Sequence, residues 1–274
     1  MTKGRLLRPL AIQTMCLWRI FWRTRVLMFF TFIAPLMIFV LINLLFTGKY
    51  RLPFASQTAS EFYGPAIAAY GVVSATFGYL ATTVAYAREF GALKRIRGTP
   101  TPPMVHIGAR LSTAIIIALI DTAAILGLAV AAYGLNMHVV ALPSVAVSLV
   151  VGGIVFGVLG IALANFCPTG NSAPALVNAI VTPLAFVSNL FIPLSHPSAV
   201  VSIVGDAFPL KPFVLSFESA VRTRSLFGGL SLSHLAVLAG WGAVGTLVAY
   251  RWFRWAPAIE DARRGTADLR TVAA

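Results

Sequence analysis

Six stretches of about 20 residues or more, near 26–46, 62–85, 111–133, 139–164, 173–194 and 232–250, contain no Lys or Arg and are predominantly apolar. A helix of that length crosses the hydrocarbon core of a bilayer. In lipid it also satisfies its own backbone hydrogen bonds, which few other structures can do. Only 11% of the chain is charged and 58% is hydrophobic, whereas soluble domains carry about a quarter charged residues, so a water-soluble fold is excluded. The expected fold is an all-α membrane protein. A six-span transmembrane domain over 26–250 follows a cytoplasmic interfacial helix over 1–25 and precedes a cytoplasmic tail over 251–274.

The net charge of +13 would suggest nucleic acid in a soluble chain. Here the cations sit between apolar runs and report topology instead. Residues 1–25, 86–110 and 251–274 hold sixteen of the Lys and Arg residues, and the alternate connections 47–61 and 195–231 hold five. The short connections 134–138 and 165–172 hold none. This bias places both termini and the 86–110 loop in the cytoplasm of a multi-pass protein. The N-terminal cations are not followed by a short apolar stretch with a small-residue cleavage site, so the first span is expected to serve as the signal. Cys16 and Cys167 both fall toward the reducing side, where a structural disulfide is not expected.

Trp18 and Trp22 stand one helical turn apart beside Arg19 and Arg23. That pattern suits a helix in the inner interface, and a simple basic topogenic tail is the alternative. Residues 195–231 carry Pro197, Pro209 and Pro212 among apolar pieces too short to span. They read as a re-entrant or interfacial segment, or as an ordinary outer loop.

The loop between the second and third spans reads Arg88-Glu89-Phe90-Gly91-Ala92-Leu93-Lys94-Arg95-Ile96-Arg97-Gly98-Thr99-Pro100. A helix from about Ala85 to Ile96 places Phe90, Leu93 and Arg97 at three- and four-residue spacing, with apolar contact on one face and cations on the other. Gly98 and Pro100 stop it, and Glu89 sits near its start, where the macrodipole favours a carboxylate. An amphipathic helix continuous with a span is a suitable lever for a soluble motor.

This run, together with the layout of the whole chain, resembles the membrane subunits of ABC transporters of the type-2 exporter class. The matching residues are Arg88, Glu89, Gly91, Leu93, Lys94, Arg97, Thr99 and Pro100. The stretch Asn189-Leu-Phe-Ile-Pro193-Leu-Ser195 is similar to the end of that family's fifth span, and Pro209-Leu210 to a later Pro-hydrophobic pair. Pro212 departs from the Tyr, His or Arg often found at its position, which puts a substrate-path role for that corner in doubt. The resemblance implies that Arg88, Glu89, Phe90, Gly91, Leu93, Lys94 and Arg97 dock a separate ATP-binding subunit, which would hold ATP and Mg while this chain binds no cofactor. It implies two permease subunits, identical or related, around a path for a lipid, drug or lipid-linked glycan leaving the cytoplasm of a bacterial cell across its inner membrane. The partners are then that ATPase, the second permease and the bilayer, with no nucleic acid.

The chain offers no phosphate-cradling loop of its own. Its only Gly-Lys pair, Gly48-Lys49, precedes Tyr50, and Asn43 stands where the first Gly of such a loop would be. Gly-x-Ser-x-Gly and His-Glu-x-x-His are likewise missing, so no catalytic residues are expected. Asp121 is the one acid inside an expected span. It is either a functional group, in which case an ion-coupled secondary transporter is the competing reading, or a structural carboxyl bonded to a neighbouring helix. Asn178 and Asn189, with Thr182 and Ser188, either line a polar path beside Pro174 and Pro183 or only cross-link helices. Gly152, Gly153, Gly157 and Gly160, and again Gly240, Gly242 and Gly245, are expected to let helices approach closely. His138, His196 and His234 fall on the outer side without ligand spacing, so no metal site is expected.

Overall fold

A computed structural model of the chain describes residues 4–46, 57–99, 101–192 and 198–252. The readings for Gly48-Lys49, Pro100, Pro193 to Ser195, His196, Pro197 and the tail from 253 onward fall outside those residues. The regular elements of the described residues are helices: α1 (Gly4–Arg23), α2 (Arg25–Leu45), α3 (Ala59–Glu89), α4 (Ala92–Arg97), α5 (Pro103–Tyr133), α6 (Leu142–Ala164, entered through a 3-10 turn at Val139–Ala141), α7 (Ser172–Val187), α8 (Ala199–Ala207), α9 (Leu210–Arg222) and α10 (Leu232–Trp252). Among the described residues there is no strand. Five helices, α2, α3, α5, α6 with its entry turn, and α10, are long and apolar enough to cross a membrane by themselves. The chain is therefore an all-α membrane protein.

Local chemistry sets the ends of these helices. Thr58 and Glu61 form a capping box at the start of α3: Thr58 N–H donates to Glu61 Oε2 at 2.8 Å, and Glu61 N–H donates to Thr58 Oγ1. Pro103 opens α5 at a position where a missing N–H costs nothing. Consequently α5 starts eight residues before the expected span, and His106 and Arg110 stand on a helix rather than in a loop. Gly134 ends α5 at φ +69, and Leu135 N–H reaches back to Ala129 O at 3.0 Å.

Two spans carry π-helical segments, Phe29–Ile33 in α2 and Ser74–Gly78 in α3. The first precedes Pro35, whose missing N–H disturbs the α-helical ladder. The fifth apolar run yields a helix of only 16 residues, about 24 Å long and short of a bilayer core. It ends at Val187, before the expected boundary at 194, and Asn189 follows in the left-handed region at φ 60.

α3 lies at the centre, with 72% of its apolar window buried, against 22% for α2 and 11% for α10. The glycines of α6 let the other helices close around it. A Cβ on Gly160 would stand 2.5 Å from Phe77 O in the π segment of α3, one on Gly157 would strike Leu111 of α5, and one on Gly152 the Phe213 ring of α9. Gly245 and Gly242 press α10 onto Leu159 and Val155 of α6, whereas Gly240 meets nothing within 4 Å. α8 and α9 are bent by 82° at Phe208–Pro209. Trp241 of α10 donates from Nε1 to Ala207 O at 2.8 Å and stacks on Phe208.

Hydrogen bonds define the two ends of the bundle. At one end Ser60 Oγ donates to Tyr133 O, Tyr63 Oη donates to Phe191 O, and Arg222 reaches both Gln57 and Glu61 O. At the other, basic end, the last turn of α3 meets the connection between α6 and α7.

Candidate functional site

Arg88 and Glu89, the last two residues of α3, are both spent on that connection. Arg88 is 4% exposed. Its Nη1 donates to Asn165 O at 3.2 Å and its Nη2 to Cys167 O. These are carbonyls just past the C-terminus of α6, so the guanidinium caps that helix and faces the negative end of its dipole. Glu89 Oε2 accepts the Gly170 N–H at 2.6 Å, immediately before the N-terminus of α7, where a carboxylate is favoured. Tyr86 adds a bond from its hydroxyl to Asn171 Oδ1. A Cβ on Gly170 would sit 2.2 Å from the Tyr86 ring, so glycine is needed there for the close approach. The connection itself is tied by reciprocal bonds between Thr169 and Ser172.

The helix expected over Ala85 to Ile96 is broken. Gly91 adopts φ +66, a conformation that costs glycine little, and separates Glu89, where α3 ends, from the short α4. The break undoes the shared face expected for Phe90 and Leu93. Leu93 is 1% exposed and packs into the core, whereas Phe90 is 69% exposed and stacks on Tyr86. Lys94 and Arg95 are exposed on α4, with Arg95 donating back to Phe90 O at 3.2 Å. Arg97 is the last residue of α4. The sequence motif thus divides into an inward set, Arg88, Glu89 and Leu93, and an outward set that includes Phe90 and Lys94.

The polar groups expected along a path are dispersed. Asn178 lines a cleft of about 650 Å³ between α1, α2, α3 and α7, with the start of α5 on its wall. Asn189 lies in the turn beyond α7. Asp121 is 0% exposed, with both carboxylate oxygens lacking a hydrogen-bond partner among the described residues. Gly71 makes room for it, since a Cβ there would fall 2.0 Å from Asp121 Oδ2. Because an unpaired buried polar group costs about 1–3 kcal/mol, Asp121→Leu is expected to stabilise the protein by about that amount, measured by thermal melting in detergent. A fall in stability would show that the carboxyl has a bonding role.

Sequence reasoning missed three contributors. The 165–171 connection offers backbone groups, which no residue type announces. Tyr86 carried no charge to draw notice. Arg110, counted among loop cations, is 8% exposed on the wall of the cleft, and Pro102-Pro103 was the signal that it belongs to a helix. Cys16 is exposed and Cys167 buried, and both are free thiols. Among the described residues no group of three or more His, Cys, Asp or Glu side chains gathers to hold a metal.

The family model described as ABC-2 type transporter matches residues 12–221, from the middle of α1 to the end of α9. No curated protein matches the chain.

Proposed function

The chain belongs to the ABC-2 type transporter family and is a membrane permease subunit of an ABC transporter, paired with an ATP-binding subunit; we propose that it forms an exporter in which α4 and the end of α3 receive the stroke of that subunit. The observation that carries this reading is the division of the basic motif. Arg88 and Glu89 bind the end of α3 to the α6–α7 connection, while Phe90 stays exposed beside Lys94. An exposed aromatic next to a cation is a favourable anchor for a partner's pocket. Force applied there enters α3, α6 and α7 at once.

The cation bias supports a cytoplasmic position for this end and for both termini, in a bacterial inner membrane. Two permease subunits, two copies or this chain with a related one, then surround the path, ATP and Mg stay with the partner, and a lipid, drug or lipid-linked glycan moves outward. α8 and α9 read as re-entrant. α7 begins beside Tyr86 at the basic end, and the turn after it meets Tyr63 at the other; α9 finishes beside Glu61 at that same end.

Phe90→Ala combined with Lys94→Glu is expected to lower ATP hydrolysis stimulated by the membrane subunit by about tenfold or more, the effect of losing a buried anchor, while the chain still inserts and assembles with its partner. The assay is ATPase activity of the co-purified complex in nanodiscs. Undiminished stimulation in the double variant would remove α4 from the docking role.

A further inference from the structure

We propose that the cleft between α1, α2, α3 and α7 binds the anionic headgroup of a membrane amphiphile, such as a phosphate monoester, through Arg110. Arg110 is the only charged residue among the described residues that line it. A cation 92% removed from solvent would ordinarily be paired. Arg110 has no acidic partner among the described residues. Its one hydrogen bond runs from Nε to His106 Nε2 at 3.1 Å. An arginine Nε–H can only donate, so His106 accepts at Nε2 and is neutral, with its proton on Nδ1 facing Gln13 Oε1 of α1 at 3.4 Å. This chain holds the guanidinium through Nε and leaves both terminal nitrogens without a hydrogen-bond partner among the described residues, the planar fork that suits a phosphate or carboxylate.

The rest of the wall fits the same ligand. Ser74, Tyr79 and Thr82 of α3 and Asn178 of α7 bring polar groups that donate to no other described residue, while Leu27 and Phe30 of α2 supply apolar surface for a tail. The volume, about 650 Å³, lies within the roughly 300–1,000 Å³ of small-molecule sites. Asp121, the one acid inside a span, does not line the cleft, so the site's charge is positive and selects against cationic heads. This inference deepens the export reading by giving the cargo's head a sign. Binding needs neither nucleotide nor the partner subunit, so a failure of ATPase docking leaves its test intact.

The test is equilibrium binding of radiolabelled dodecyl phosphate to the full chain in neutral-detergent micelles. Saturable binding is expected, with no competition from dodecyltrimethylammonium. Arg110→Gln should weaken it by about tenfold or more, the loss of a charge-assisted hydrogen bond. Arg110→Lys, which keeps the charge but loses the planar fork, should weaken it clearly less than Arg110→Gln does, and Arg224→Gln, outside the cleft, should bind as the parent does. Asn178→Phe, at an exposed position the fold does not depend on, should obstruct the site and weaken binding while melting is unchanged. Equal binding by Arg110→Gln and Asn178→Phe overturns the proposal. So does equal weakening by Lys and Gln at 110, which would reduce Arg110 to a support for His106 and α1. Displacement by inorganic phosphate as effectively as by the unlabelled amphiphile would assign the site to a soluble anion instead.

Discussion

Glu89→Arg is expected to abolish ATP-driven transport while the chain still inserts and folds. The substitution removes a charged acceptor from the Gly170 N–H, a bond of the kind worth about 1.5–3 kcal/mol. It also puts a cation at the N-terminus of α7, where the macrodipole disfavours it by about 0.3–1 kcal/mol. Together these amount to roughly 2–4 kcal/mol, enough to detach the α6–α7 connection from α3 but less than the 5–15 kcal/mol that holds a typical domain. Arg88 would still cap α6 through Asn165 O and Cys167 O, so the failure should be one of transmission. The expected signature is a complex that assembles, melts within a few degrees of the parent and hydrolyses ATP at the unstimulated rate. Glu89→Gln keeps an acceptor and should retain part of the stimulation. Full stimulation in Glu89→Arg would show that the tie to α7 does not carry the stroke.

The largest loss of stability is expected from Gly160→Ala. The added methyl would lie 2.5 Å from Phe77 O and 3.0 Å from Phe77 Cα, and a backbone cannot rotate aside as a side chain can. α6 must withdraw from α3, the most buried span, and overpacking of this kind costs about 1–3 kcal/mol. For a protein of this size that corresponds to a melting point lower by roughly 2–12 °C, read by a thermal shift in detergent. Gly240→Ala is the matched control. Its Cβ meets nothing, and alanine is the better helix former by about 1 kcal/mol, so that variant should melt at or slightly above the parent. Similar behaviour in the two variants would mean that the α6–α3 contact is looser than the structure places it.

The all-α membrane fold could be read from apolar run length, because that is a composition effect that survives without knowing any contact; the number of spans could not, since the fifth run yields a helix of only 16 residues. The loop's interior geometry could not. Gly91 was read through as part of a helix although glycine after a helical run is a stop signal, and with that the face shared by Phe90 and Leu93 was misassigned. The clamp was hidden for a deeper reason. Arg88 binds carbonyls at 165 and 167, and every residue carries the same carbonyl, so the 165–172 connection looked inert for want of a charge. Asp121 was singled out by its charge, yet the glycine that encloses it lies 50 positions earlier. Arg110 was visible but placed in a loop, because two prolines in a row were not read as the opening of a helix.

The π segment at Ser74–Gly78 bears on the clamp eleven residues further on. A π turn houses about one residue more than an α turn, and one residue is about 100° of helix rotation. The half of α3 that carries Arg88 and Glu89 is therefore swung about a quarter turn from the bearing an unbroken α-helix would give it, and only at that bearing do the two side chains meet α6 and α7. Chain length here works as an angular setting: removing a single residue between Ser74 and Gly78 would leave every contact group in the sequence and aim the pair at the wrong neighbours.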